Sequence, residues 1–424
     1  MKVHRSTKAV AMLLFTILFL SACTSQKEAQ PTSEAGKSVT EVIAPWIATK
    51  NTTRINSSHP VESAVLVSKT LWPATADDNR PGAVILAPIE RWGSALASLD
   101  LVHHPNNGPL LYMDKNGVPQ ATIDEIKRLK PIGIGQAKEQ IIVIGESSQK
   151  VKDQLSTAGF KASYVSGNDD AEIAAQIDTL YTKASGSQPN SVIVGSLDNP
   201  AYTIPAGNWI AHMPEPLLYV TKKEIPQATV KALEKRNGKA NIYIIGPESI
   251  VSADLEKKLK QYGTVKRIAG KNPIENSIAF AKYKDESTGF GWGITTPGHN
   301  LSFVPAGNDL LAISAAPFSH LGKHAPLIWT EKDKMPNSVM DYVMTLQPKY
   351  METPTEGPFN HAWIVGNEKD ISPQAQGEID SMLEIVSASG KGHADHGSAG
   401  SENTSSNKDE DETPSENNHG GAHH

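Results

Sequence analysis

From about Val42 to Val386, short runs of uninterrupted apolar residues alternate with amphipathic stretches. In the first part of this region Ala83-Val84-Ile85-Leu86-Ala87, Pro109 to Met113 and Gln140 to Ile144 have strand length and carry apolar side chains at successive positions. Thr53-Arg54-Ile55 is a shorter strand candidate. Between these runs the period changes to that of a helix. Val61, Ala64, Val65 and Ser68 share one face over Pro60 to Leu71, and Ile123, Ile126 and Leu129 do so after Pro119, a residue suited to a first helical turn. Ser94 to Val102 predicts an apolar helix, and Ser148 to Leu155 a helix that runs out at Gly159. Strands apolar on both faces, alternating with helices, predict parallel sheets covered on both sides, with right-handed crossovers.

The pattern occurs three times. Pro109-Leu110-Leu111-Tyr112, Pro216-Leu217-Leu218-Tyr219 and Pro326-Leu327-Ile328-Trp329 are spaced 107 and 110 residues apart. Pro119-Gln120-Ala121-Thr122, Pro226-Gln227-Ala228-Thr229 and Pro336-Asn337-Ser338-Val339 keep the same steps. Ile141 to Gly145, Ile242 to Gly246 and Ala362 to Gly366 close the motif. Repeats of this length are single compact units. We place repeat one at 42–161, repeat two at 162–263 and repeat three at 264–386, with an insertion near Met351 to Pro358 in the last. Each is expected to be a small α/β unit with helices on both faces of its sheet, and the three to close into a pseudo-threefold arrangement.

Arg267-Ile268-Ala269-Gly270 with Glu275, Arg54-Ile55-Asn56-Ser57 with Glu62, and Tyr164-Val165-Ser166-Gly167 with Glu172 open the three repeats, the acid eight residues after the first position each time. Asp309-Leu310-Leu311-Ala312 adds an Asp-Leu-rich apolar helix. In this order, with Pro-Leu-Leu and the Ile-Ile-Gly strand, the unit resembles the type-2 cell-wall-binding repeat of Gram-positive surface proteins. The Asp stands only in repeat three. A second arginine of that pattern is replaced by Pro60, Asp170 and Pro273. The resemblance implies three α/β units arranged as a trimer that holds the protein non-covalently on anionic cell-wall polymers.

The ends of the chain have another character. Lys2, His4, Arg5 and Lys8 precede an apolar run from Ala9 to Leu20, which predicts a signal peptide over residues 1–22. Leu20-Ser21-Ala22-Cys23 resembles the bacterial lipobox, so Cys23 is expected to carry lipid and hold the protein on the outer face of the cell membrane; the other reading is a plain secretory signal with an incidental cysteine. Cys23 is the sole cysteine, which excludes an intramolecular disulfide. Residues 23–41 read as a polar tether. Residues 387–424 hold seven acids, two lysines and almost nothing apolar, and are expected to be disordered. They account for −5 of the chain's net charge of −6. The remainder is near neutral and has no basic run, which speaks against nucleic-acid binding.

Glu62, Glu172 and Glu275 each fall in a first helical turn, where an acid closes a capping box or complements the helix dipole; a ligand role is the alternative. Arg54 and Arg267 are expected to pair with acids or to meet phosphate. Trp92 is as suited to stacking on a sugar ring as to core packing, while Trp329 and Trp363 belong to strands. His103, His212 and His320, with His104 and His324 nearby, read as helix-end histidines facing water, although on a threefold axis they would approach one another and bind a metal. His393, His396, His419, His423 and His424 lie in the acidic tail, where imidazole and carboxylate suit weak zinc, nickel or copper binding. No catalytic motif with a nucleophile or zinc-protease spacing occurs, so the expected activity is binding rather than catalysis. The rival readings are an extracytoplasmic solute- or metal-binding lipoprotein and an envelope hydrolase.

Overall fold

The computed structural model describes residues 44–321 and 324–389. Cys23 and the histidines of the tail lie outside the described residues. Three four-stranded parallel sheets share one strand order. Sheet one runs Leu110–Met113, Val84–Pro88, Ile141–Ile144, Ala162–Val165. Sheet two runs Leu217–Val220, Ser191–Ser196, Ala240–Ile245, Gly263–Ile268. Sheet three runs Leu327–Thr330, Asn300–Pro305, His361–Val365, Thr52–Ile55, with Trp46–Ala48 antiparallel on its edge.

The apolar runs have a direct cause. Along Ser191–Ser196, Ile193 enters the large shared core, while Val192 and Val194 enter an outer cluster with Leu218, Ile242 and Ile244. Sheet three divides likewise. Val304 and Trp329 face the shared core, and Leu301, Phe303 and Ile328 face a second outer cluster. Past its first residue or two, every position of a central strand is therefore buried, on one face or the other.

One strand of each sheet comes from a neighbouring repeat. Ala162–Val165 completes sheet one and Gly263–Ile268 completes sheet two, so the strand that opens a sequence repeat finishes the sheet before it. Sheet three takes its fourth strand from the opposite end of the fold: Thr52–Ile55 pairs with His361–Val365, with Thr53 opposite Trp363 and Ile55 opposite Val365. The ring is closed by this pairing.

Short helices line the centre of the ring. Trp92–Ala97 with the 3-10 turn Ser98–Leu101, Ala206–Ile210, and Asp309–Ala315 with the 3-10 turn Ala316–Ser319 pack on one another. Small residues permit it. A Cβ on Gly207 would stand 2.8 Å from Leu96 Cδ1 and 2.9 Å from Leu99 Cδ1. The longer helices Pro60–Leu71, Asp170–Ser185 and Pro273–Lys282 lie on the Pro-Leu strand of their own repeat and reach the repeat before, the first two at its central helices and the third at Pro200–Thr203, the short helix that leads into Ala206–Ile210. Among the described residues no helix is long and apolar enough to cross a membrane.

The last residue of each Pro-Leu-Leu-aromatic motif ties neighbouring units together. Tyr219 OH donates to the Gly93 carbonyl at 2.6 Å, Tyr112 OH to that of Leu310 at 2.8 Å, and Trp329 Nε1 to that of Ala201 at 2.8 Å. The three acceptors hold the same position in the three repeats, seven residues past the strand residue that pairs with the second position of the motif's apolar pair. The next motif serves the same strand: Thr122 Oγ1 donates to Tyr112 O at 2.9 Å and Thr229 Oγ1 to Tyr219 O at 2.6 Å.

Two outcomes follow from these contacts. Tyr219→Phe removes a buried donor from the Gly93 carbonyl and is expected to cost about 1–3 kcal/mol, seen as a lower urea midpoint with an unchanged slope; an unchanged midpoint would contradict the role given to the hydroxyl. Removing residues 44–57 bares the edge of His361–Val365 that faces Thr52–Ile55 while leaving its pairing with Asn300–Pro305, so hydrogen exchange at Ile364 and Gly366 should accelerate well before exchange in sheet two. Equal protection with and without that segment would show that the closure is not needed.

Candidate functional site

The carboxyl ends of the strands Val84–Pro88 and Asn300–Pro305 open into the boundary between repeats three and one. There Ser58, Glu90, Trp92, Asn308 and Asp309 line a cleft of about 390 Å³ floored by Leu310 and Leu311. Ligand sites of open parallel sheets lie at this end of the strands. Trp92 and Asp309 are the first residues of two central helices and hold matching places in their repeats; Pro200 holds that place in repeat two. Burial raises the Asp309 carboxyl above its ordinary range. Trp92 is half-buried and meets Tyr219 edge-on, with ring centroids 6.1 Å apart. Behind the cleft Asp370 accepts hydrogen bonds from Ser58 Oγ, from Asn308 Nδ2 at 3.4 Å and from the Asn367 N–H at 3.0 Å.

A second hollow, about 450 Å³, adjoins the first through Glu90 and lies over sheet one, with Arg91, Lys115, Glu146 and Ser148 on its walls. The two form one furrow. The corresponding ground between repeats one and two is filled. Asp170, which stands where Pro60 stands in repeat one, accepts from Arg91 Nε at 3.0 Å and from Ser94 Oγ at 2.6 Å, with Arg91 Nη2 at 2.9 Å.

Of the residues singled out in the sequence, Trp92 and Asp309 line this cleft. Arg54 is 0% exposed; its Nη1 donates to the Gly366 carbonyl at 2.9 Å and its Nε to Gln376 Oε1 at 2.8 Å. Arg267 does the same work in sheet two, donating to Gly246 O at 2.8 Å and to Glu256 Oε2 at 2.8 Å. In both, an arginine holds the carbonyl of a glycine that ends a strand at positive φ, 131° for Gly366 and 119° for Gly246. Glu172 and Glu275 sit in capping arrangements: Asp169 and Asn272 cap their N–H groups at 2.8 and 2.9 Å, and their carboxylates accept from the Asn168 and Lys271 N–H groups. Glu62 accepts from Ser57 Oγ at 2.6 Å. Glu275 also borders a separate groove with Lys282 and Asp341. Glu90, Ser58, Asn308 and Asp370 carry no repeat signal, which is why the sequence did not single them out for the cleft.

The histidines depart from the expectation of side chains facing water. His103 is exposed, but His320 is 5% exposed and His212 half-buried, and the three rings meet where the central helices end. Burial, and then the neighbouring imidazoles, lower His212 to about 4 and His320 to about 3.

No family profile matches the chain. It is 31% identical over 159 residues to the amidase enhancer of Bacillus subtilis (strain 168), a match covering 38% of this chain and 21% of that protein. It is 25% identical over 234 residues to the N-acetylmuramoyl-L-alanine amidase LytC of the same organism, covering 54% of this chain and 42% of the relative. The chain thus spans less than half the length of these curated relatives. Among solved structures, Cwp6 from Clostridium difficile superposes with a TM-score of 0.63 at 17% identity, over 82% of this chain and 50% of that one. Cwp8 from the same organism gives 0.61 at 19% identity, over 79% and 52%. The fold of this chain, three α/β units with small parallel sheets, is the fold found in Cwp6 and Cwp8.

Proposed function

We propose that the protein binds a cell-wall polymer in the furrow between repeats three and one, and that its role is binding rather than hydrolysis. The observation that carries this reading is the pairing of an accessible tryptophan with the Asp309 and Glu90 carboxylates in one open cleft. An aromatic face stacks on a sugar ring, and carboxylates accept hydrogen bonds from its hydroxyls. No lysine or arginine lines that cleft, so it suits the hydroxyl-rich part of a wall glycan. The adjoining hollow carries Lys115 beside Glu90, Asp114 and Glu146, with Arg91 already paired to Asp170, and extends the same hydroxyl-binding surface. The likeness to the amidase enhancer, to LytC and to the Cwp6 fold supports a cell-wall role. In this reading lipidated Cys23 holds the repeats at the outer face of the membrane, within reach of the wall.

Asp309→Asn and Trp92→Ala are each expected to weaken sedimentation with purified Gram-positive walls by about tenfold, the equivalent of one lost stacking or charge-assisted contact. Walls stripped of anionic polymer should retain less of the wild type. Wall binding unaffected by both variants, with circular dichroism showing them folded, would remove the furrow from the mechanism; release of soluble muropeptide by the wild type would replace binding with hydrolysis. Cys23→Ala should leave the protein unprocessed or released from membranes, and detergent partitioning identical to wild type would rule out the lipid anchor.

A further inference from the structure

We propose a transition-metal site, of the zinc(II) class, on the pseudo-threefold axis, with His103, His212 and His320 as its protein ligands, one from each repeat. Each histidine follows a central helical segment, Ser98–Leu101, Ala206–Ile210 and Ala316–Ser319, and those segments pack on one another. The convergence is a product of the ring. Ring centroids lie 4.8 Å apart for His103 and His320, 5.2 Å for His103 and His212, and 6.4 Å for His212 and His320. One ring nitrogen from each lies within 4.8 Å of the other two.

Hydrogen bonding assigns the protons. His103 Nδ1 is 2.8 Å from the His212 carbonyl oxygen, which can only accept, so Nδ1 carries hydrogen and Nε2 keeps its lone pair. His320 Nε2 is 2.8 Å from Asn107 Oδ1, which again only accepts, so its Nδ1 is bare. That nitrogen is buried and has no hydrogen-bond partner, and neither has His212 Nδ1. A ligating imidazole commonly donates its other ring N–H to an oxygen that fixes its tautomer and orientation. His103 and His320 have this support already.

Three imidazoles, with no thiolate or carboxylate among them, suit a four-coordinate ion with one open position. Zinc–nitrogen bonds of about 2.0–2.1 Å place ligand nitrogens roughly 3.3 Å apart. The rings must therefore close by up to about 1.5 Å, which takes movement of the half-buried His212 toward His320 as well as of the exposed His103. His324, whose ring centroid is 4.3 Å from that of His212, is a further imidazole at the edge of the group. Because each ligand belongs to a different repeat, a bound ion fastens all three units at a single point. This site is separate from the furrow, and its test does not depend on wall binding.

The test uses cobalt(II), which reports four-coordinate geometry by its intense visible bands, and zinc(II) in thermal melts of the full chain. The wild type should develop the bands at one equivalent of cobalt, and excess zinc should raise Tm by roughly 4 °C or more. His103→Ala, at an exposed position that leaves the core intact, should abolish both, and His212→Gln should do the same. A variant with His393, His396, His419, His423 and His424 changed to Ser should retain both. Absence of bands in the wild type overturns the proposal. So do bands that survive His103→Ala, or bands lost in the tail variant, since the ion would then rest on other ligands.

Discussion

A single kind of hydrogen bond, made three times, sets the geometry of this protein. An aromatic side chain at the end of a Pro-Leu-Leu strand donates to a main-chain carbonyl at the start of the neighbouring repeat's central helix. The donors are buried and the acceptors buried or half-buried, so an unmade bond would be costly. The bond therefore fixes how far each sheet stands from the helix before it. With that spacing set, the small residues of the central helices meet, the strand ends of repeats three and one are held a cleft apart, and three histidines arrive at one point. The site and the ring are consequences of one register.

The three boundaries share a backbone and differ in what fills them. Between repeats one and two, Asp170 answers Arg91 and Ser94 and closes the gap. Between repeats three and one, Pro60 takes the position of Asp170 and Gly307-Asn308 takes that of Glu90-Arg91, so the same ground stays open. An ion pair between partly buried partners adds little net stability once desolvation is counted, whereas an open boundary leaves a carboxylate and an aromatic face available. Pseudo-symmetry lets one copy of an interface be closed by an ion pair while another, built on the same backbone, stays open.

Much of the fold was legible in the sequence because its causes are local. Ile193 and Val194 point to opposite faces, and both are buried, so the strand reads as an unbroken apolar run. Repetition of Pro-Leu-Leu and Pro-Gln-Ala-Thr exposed the three units without any structure. The partner of Thr52–Ile55 was not legible, since strand pairing over some three hundred residues leaves no periodic trace. For the same reason Arg54 could be read as a ligand residue, though its guanidinium is spent on the Gly366 carbonyl. His320 looked like a surface residue, because its burial comes from two other repeats. The cleft was half legible: Trp92 and Asp309 stood out by residue type, while Glu90 and Asp370 are ordinary acids until the loops are brought together.

The closing strand also decides how the fold bears load. Chain entering at Ala44 joins sheet three directly, while chain leaving near Ser389 departs from the two-stranded parallel sheet of Lys349–Tyr350 and Val386–Ser387, one helix beyond His361–Val365. A pull between them first peels the short hairpin of Trp46–Ala48 on Thr52–Ile55 at one end and Val386–Ser387 from Lys349–Tyr350 at the other. It then reaches the parallel pair Thr52–Ile55 and His361–Val365, drawing one strand by its start and the other by its end. In that direction the strands slide along each other, so their hydrogen bonds are stretched together instead of opening one at a time. Side-chain ties reinforce the same seam: Asp380 accepts from the Asn51 N–H at 2.7 Å, and Lys50 pairs with Glu384. The seam that completes the ring is thus also the pairing that a pull along the chain would load in shear.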